Sequence, residues 1–371
     1  MSDLASVESL NRSAAQLPVH WYFDPRVHEA EQRVLFERGP GYVGHALMVP
    51  EVGDFHAIDW MGNGKVLVRH GDGDQAVSLL SNVCRHRQAV MLKGRGNAAS
   101  IVCPLHRWTY ALDGKLLGAP HFAEKPCLDL GATPLQRWNG LLFNSRRDIA
   151  RDLASLGCRD TLDFADYRFD HMHVESYACN WKTFIEVYLE DYHVVPFHPG
   201  LGQFVDCTRL EWQFSDWYSV QTVGVHEALT RPGTPVYRAW HEQVLKYRSG
   251  EPPRHGAIWL TYYPNIMVEW YPHVLVISTI QPDGPEACRN IVEFYYPEEI
   301  VLFEREFIAA EQAAYAETAI EDAEICMRMT EGRRVLYREG RSETGPYQSP
   351  LEDGMQHFHE FLRREVGPLL A

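Results

Sequence analysis

Two short arms constrain this chain more than any other feature: Cys84-Arg85-His86 and Cys103-Pro104-Leu105-His106, sixteen residues apart. Each arm brings one thiol and one imidazole, and turn residues flank both. A structural zinc site normally pairs its cysteines on one knuckle and its histidines on the other. One cysteine and one histidine from each of two loops suits a mixed-ligand [2Fe–2S] centre, in which two thiolates hold one iron and two imidazoles the other. The surrounding residues read as a sheet domain. Apolar runs such as Lys65-Val66-Leu67-Val68-Arg69 and Gly140-Leu141-Leu142-Phe143 alternate with turns at Gly71 to Asp74 and Asp113-Gly114. A short helix from about 26 to 37 precedes them.

A second stretch lies about a hundred residues later, from Asn180 to Pro199. Apolar residues recur at Phe184, Ile185, Tyr188 and Leu189, which predicts a helix from Trp181 to about His193, ended by Pro196 and Pro199. Glu190 and His193 are three apart and so share a face, and His198 follows closely. Two histidines beside a carboxylate fit the 2-His-1-carboxylate triad of non-haem iron, given one more carboxylate from elsewhere. Read alone, the same residues also fit two satisfied histidines at a surface turn.

Length and composition bound the rest. A chain of 371 residues suggests two domains, with the boundary where charged residues interrupt the apolar pattern near 145–165. The expected division is 1–16, 17–150 with its leading helix, and 151–371. After the 181–193 helix come strand-like runs at 217–224, 257–271, 273–280 and 290–297, then a helical region from about 297 to 334 and an amphipathic helix at 351–365. The formal charge of −15 argues against nucleic acid. No apolar run is long enough to span a membrane. Met1 to Gln16 is polar and lacks a signal core, which reads as a disordered lead-in to a cytoplasmic protein. The cysteines outside the two arms (127, 158, 179, 207, 288 and 326) read as buried thiols rather than disulfides.

Taken together, these motifs resemble the large (alpha) subunit of Rieske non-haem iron ring-hydroxylating oxygenases. The matching residues are Asn82 to Arg87, Cys103 to Tyr110 with Leu112-Asp113-Gly114, Asn180-Trp181-Lys182, Glu190 to His198, and Tyr42-Val43-Gly44-His45 upstream. The likeness runs from about Leu17 to the C-terminal helix. Two positions depart from the pattern. Arg107 stands where the family usually has Gly, and Glu190 where most members have Asp, as in the branch that oxidises quaternary ammonium compounds.

The resemblance implies an α+β protein. An all-β Rieske [2Fe–2S] domain is inserted in or followed by a helix-grip (START-like) catalytic domain, an antiparallel sheet against helices. It implies cluster ligands Cys84, His86, Cys103 and His106. It implies a mononuclear Fe(II) on His193, His198 and a carboxylate from a late helix, where Asp322 matches; Glu321 and Glu324 are rivals, and a solvated acidic face is the plain reading of the run. Glu190 would link His193 to His106 of a neighbouring subunit in a head-to-tail homotrimer, or a multiple of trimers. Electrons would come from NAD(P)H through a separate flavin and iron–sulfur reductase, since the chain has no dinucleotide fingerprint.

The substrate is less legible. Met267, Glu269 and Tyr271 alternate onto one strand face, where a carboxylate beside an aromatic could hold a cation. The opposite face, Ile266, Val268 and Trp270, would instead make an apolar pocket for a bulky lipid such as a sterol. Trp212, Trp217, Tyr218 and Trp259 are further wall candidates, although large aromatics are more often core. The expected reaction is monooxygenation of an sp3 C–H or methyl group, by hydroxylation or oxidative demethylation. The alternatives are cis-dihydroxylation of an arene and, from another class, a Rieske electron carrier. A carrier has no need of His193 and His198.

Overall fold

The computed structural model describes residues 15–370, so the lead-in expected at 1–16 lies outside the described residues except for its last two. Those two are held: the Gln16 amide donates to the Gly345 carbonyl, and the Ala15 carbonyl accepts from the Tyr347 hydroxyl. The chain divides into two compact units. One runs from Pro40 to Arg151; the other joins the residues up to Gly39 with those from Asp152 onward.

In the Pro40–Arg151 unit, short β-branched runs separated by glycine turns give short antiparallel strands. Five of them form one sheet, in which Lys65–Arg69 pairs with Asp54–Ala57 on one side and Val77–Ser81 on the other. Two three-stranded sheets complete the unit. One of them, Ile101–Val102, Thr109–Tyr110 and Leu116–Gly118, brackets the second Cys/His arm.

The other unit is built on a seven-stranded antiparallel sheet. Its order is Tyr167–Tyr177, Cys288–Pro297, Val274–Pro282, Ile266–Tyr271, Ala257–Tyr262, Tyr218–Val225 and Val205–Ser215. All but the first lie beside their neighbours in sequence, joined by short turns except between Tyr218–Val225 and Ala257–Tyr262, where the helix Pro235–Tyr247 intervenes. Register places Gln221 opposite Trp259, Trp259 opposite Glu269 and Glu269 opposite Val276, so these side chains share one face. The 34-residue helix Arg305–Arg338 covers this sheet. Its Phe307 and Ala314 join Val276, Val292 and Phe294 in one buried cluster.

The leading helix, Pro25–Glu31 continued by a π turn at Gln32–Phe36, belongs to this larger unit and not to the sheet unit expected to carry it. The reason is a buried ion pair: Lys182 Nζ lies 2.6 Å from Glu31 Oε1, and the Trp181 indole donates to Glu31 Oε2. An uncompensated charge at either position would be costly, so the pair fixes the segment to the helix Trp181–Tyr188.

That helix is shorter than its periodicity predicts. Asn180 caps its start by accepting from the Lys182 amide, and it ends at Tyr188. The Asp191 amide is taken by the Leu351 carbonyl at 2.9 Å, which breaks the helical ladder. Glu190 therefore sits on a turn, followed by one helical turn at Val194–Phe197. Pro196 is tolerated there because first-turn amides lack intrahelical partners. Of the cysteines expected to be buried thiols, Cys127 is exposed and Cys158 half-buried.

Candidate active site

The two arms of the small unit adopt the same loop. The Cys84 amide donates to the Ala89 carbonyl, and the Gln88 amide returns to the Cys84 carbonyl. Likewise the Cys103 amide donates to Trp108, and the Arg107 amide returns to Cys103. Gln88 and Arg107 are correspondingly left-handed, with φ of 54° and 59°. This places both thiols inside and brings the His86 and His106 rings to 4.7 Å between centroids. His86 stacks on Trp108, and its buried Nδ1 has no hydrogen-bond partner. The Tyr110 hydroxyl lies 3.6 Å from Cys84 Sγ and accepts from the Arg85 amide. Burial raises the Cys84 thiol, but the amides of His86 and Arg87 and the Tyr110 hydroxyl outweigh it and hold it below the ordinary range. Two inward thiols, two adjacent imidazoles and an unpaired ring nitrogen fit a [2Fe–2S] centre of mixed ligation.

The second site lies where the turn after Tyr188 meets the long helix. The short Val194–Phe197 helix brings His193 and His198 together, Nε2 to Nε2, at 3.0 Å. Oδ1 of Asp322 stands 3.0 Å from His198 Nε2 and 3.6 Å from His193 Nε2. The other ring nitrogens face carboxylates, His193 Nδ1 to Glu190 Oε1 at 2.6 Å and His198 Nδ1 to Glu321 Oε2 at 2.7 Å. If each Nδ1 donates its proton outward, both Nε2 lone pairs and one carboxylate oxygen converge on a point with no hydrogen between them. A metal ion, or a proton held between the two Nε2 atoms, satisfies that arrangement, and these three side chains could hold a metal ion. Burial lowers the His193 imidazole, but Asp322 and Glu190 overcome it and push it up to about 10.

Glu321 thus stands behind His198 and is not a competing ligand; Glu324 pairs with Arg328 on the solvent side. The triad is braced from behind, where Arg333 on the long helix donates to Thr183 and Glu186 of the Trp181–Tyr188 helix.

A cavity opens from the triad between the sheet and the long helix. One face of that helix lines it with Glu311, Ala314, Tyr315, Thr318, Ala319 and Asp322, a three-and-four spacing. The sheet contributes Gln221, Trp259, Tyr271, Asn290 and Val292. Of the three strand residues singled out, Tyr271 lines the cavity. Glu269 is fully buried just behind it, accepting from Tyr271, Ser278 and Tyr315. Met267 does not line the cavity: it lies two residues further along, in the core cluster with Tyr263. Trp259 is a wall residue, whereas Tyr218 and Trp217 are not; Trp212 packs its indole N–H on the Pro350 carbonyl. Burial pushes Glu269 up to about 7 against its hydroxyl donors. Burial, and then the charge of Glu269, outweigh the Tyr296 hydroxyl and push Glu311 up to about 8.

Comparison with known sequences decides the family. The family described as "Ring hydroxylating alpha subunit (catalytic domain)" matches residues 163–367, and "Rieske [2Fe-2S] domain" matches residues 40–134. The chain belongs to the Rieske non-haem iron oxygenases. It is an alpha subunit of an oxygenase that carries a Rieske cluster and a mononuclear iron.

Among relatives of this oxygenase, the putrescine 2-hydroxylase of Ralstonia nicotianae is 63% identical over 364 residues, covering 98% of this chain and 99% of that one. The chloroplastic choline monooxygenase of Beta vulgaris is 27% identical over 370 residues, 94% of this chain and 76% of that one. A crystal structure of a quaternary ammonium Rieske monooxygenase shares the fold at a TM-score of 0.73 and 18% identity, covering 96% of this chain and 97% of that one. Naphthalene 1,2-dioxygenase from Rhodococcus sp. shares it at 0.70 and 19%, covering 96% and 94%. No helix among the oxygenase's described residues is long and apolar enough to cross a membrane.

Residues that the sequence did not single out for these roles are Glu321 as the partner of His198, and Gln221, Glu311 and Tyr315 in the cavity wall. Asp191 is a further one: it is buried and lines the cavity, on the turn that follows the helix.

Proposed function

We propose that this oxygenase hydroxylates a methylene carbon of a small aliphatic diamine, putrescine in the first place. The observation that carries the reading is the sign of the cavity. Acidic groups (Glu175, Glu190, Asp191, Glu311) and aromatic faces line it, and among the described residues no lysine or arginine does. Such a wall suits a cation, held by carboxylates and by the faces of Trp259 and Tyr271. A neutral arene would leave the carboxylates unmatched. The relative at 63% identity, named putrescine 2-hydroxylase, supports the same class.

In this reading Cys84, His86, Cys103 and His106 hold the cluster, and His193, His198 and Asp322 hold the mononuclear iron. Bound there, the two centres supply electrons and O2 activation. One oxygen atom enters a C–H bond, and the other leaves as water with two electrons from NAD(P)H and two protons. Glu190 and Glu321 keep each Nδ1 proton outward, so each Nε2 stays a ligand. The cavity holds the diamine chain so that one carbon lies beside the triad, and the triad's position at the cavity's end sets which carbon that is. A separate flavin and iron–sulfur reductase delivers the electrons. A head-to-tail trimer brings the exposed His106 of one subunit toward Glu190 of the next.

The test is a reconstituted assay with a generic reductase and a panel of putrescine, cadaverine, choline, carnitine, a sterol and naphthalene. Hydroxylated putrescine without formaldehyde supports the reading. Formaldehyde from choline or carnitine, or a diol from naphthalene, with putrescine untouched, overturns it.

A further inference from the structure

The cavity wall carries hydrogen-bond acceptors that its own donors leave unpaired. Gln221 is 2% exposed. Its Nε2 donates to the Tyr188 carbonyl at 2.8 Å, which fixes the orientation of the amide and leaves Oε1 buried without a donor. Asp191 is 3% exposed, and its Oδ2 is likewise buried without a donor. The two stand on different elements, the strand next to the sheet's edge and the turn before His193, and both line the cavity. The neighbouring donors are spent elsewhere. Tyr271 and Tyr315 donate to Glu269, the Trp259 indole donates to the Tyr271 hydroxyl, and Tyr177 donates to Glu175. Tyr237 is paired with Thr318. A buried acceptor without a donor carries its desolvation penalty until a ligand supplies one.

We infer that the cavity selects a cationic nitrogen that still bears N–H bonds, and that Gln221 Oε1 and Asp191 Oδ2 accept those bonds. The inference rests on the amine reading above and narrows it to primary or secondary ammonium groups, against N-trimethylated ones. Charge and aromatic faces alone do not make this distinction, because a quaternary ammonium satisfies both. The two oxygens do. A trimethylammonium group has no N–H to offer, and its methyl groups would bury both acceptors unpaired. Sites built to hydrogen-bond a substrate reject the analogue that lacks the bond far more strongly than apolar pockets reject a missing methylene. Gln221 and Asp191 are specificity residues in this account; the reacting carbon is set by the iron triad.

The experiment is calorimetric binding to the anaerobic holoenzyme, with putrescine and its mono- and bis-N-trimethyl analogues as probes. Putrescine is expected to bind at least about 100-fold more tightly than the bis-trimethyl compound. Gln221→Met, similar in volume but without the acceptor, should weaken putrescine about 10-fold and change the bis-trimethyl compound by less than about 2-fold. Asp191→Asn should likewise act on putrescine more than on the quaternary compound. A merely structural role would weaken both ligands together, so the ratio is the readout. If either variant fails to fold, the wild-type comparison still decides. Equal or reversed wild-type affinities overturn the inference and leave the amine reading standing. Failure to bind any of the three amines overturns both.

Discussion

Oε2 of Glu321 lies 2.7 Å from Nδ1 of His198, on the opposite side of the ring from Asp322. Two adjacent residues of one helix thus meet the same imidazole, Glu321 at Nδ1 and Asp322 at Nε2. Removing an acceptor of this kind typically costs about 10–100-fold in metal affinity. Glu321→Ala is therefore expected to lose mononuclear iron to a chelator at concentrations that leave the wild type loaded, with the visible spectrum of the cluster unchanged. Iron per chain after dialysis, read beside that spectrum, checks it.

Glu190 Oε1 stands 2.6 Å from His193 Nδ1 and its Oε2 accepts from the His193 amide, on the turn proposed to face the neighbouring subunit. Glu190→Gln keeps an acceptor and loses the charge. The expected result is retained iron with cluster reoxidation slowed at least about tenfold in a single turnover, on the scale of one lost charge-assisted hydrogen bond. Glu321→Gln is the control, because Glu321 also meets a triad imidazole but is not the residue proposed to bridge the two centres. Equal reoxidation rates in the two variants would remove the bridging role from Glu190.

Much of this arrangement is legible in the sequence, and the unreadable part has physical causes. The two Cys/His arms declare themselves because ligand spacing within a loop is local. The strands at 218–225 and 288–297 come within two residues of their predicted bounds. The end of the Trp181–Tyr188 helix was hidden, because the carbonyl that stops it, Leu351, lies far away along the chain. Glu190 still faces His193, as their spacing predicts, but from a turn rather than a helix, and Asp191 is buried in the cavity wall. The role of Glu321 was hidden for the same reason: a Glu-Asp pair on a helix does not reveal which one meets the metal until His198 is placed. Met267 failed as a wall residue because strand alternation gives the face, not how far along it the cavity reaches.

Arg107 occupies the left-handed region at φ 59°, where the resemblance leads one to expect glycine. A side chain there costs about 1–2 kcal/mol, partly offset by the greater freedom of glycine in the unfolded chain. Arg107→Gly is expected to stabilise the small unit by about 1 kcal/mol. The check is the denaturation midpoint followed through the bleaching of the cluster; a lower midpoint would show that the guanidinium itself holds the loop.

Glu269 and Glu311 are pushed up from an ordinary 4.5 to about 7 and about 8, first of all by burial. Between the ordinary value and those values the folded state binds more protons than the unfolded one. Stability contributed by these groups is therefore full at low pH and lost as pH rises through about 8. Thermal midpoints without amine should fall between pH 5.5 and pH 8 by more in the wild type than in Glu311→Gln, with both pH values taken as roughly bracketing that window. Binding a diamine replaces those protons with an ammonium, so calorimetry in buffers of different ionisation enthalpy should show proton release.

The central claim is that this chain places one atom of O2 on a carbon of a small amine at the His193, His198 and Asp322 centre. The direct measurement is a single turnover of the reduced holoenzyme with putrescine under 18O2, followed by mass analysis of the product. The account predicts a hydroxyputrescine that carries one 18O atom, formed by the wild type and absent from His198→Ala, which keeps its cluster spectrum. A product with no label or with two labelled oxygens, or an equal yield from His198→Ala, would contradict it.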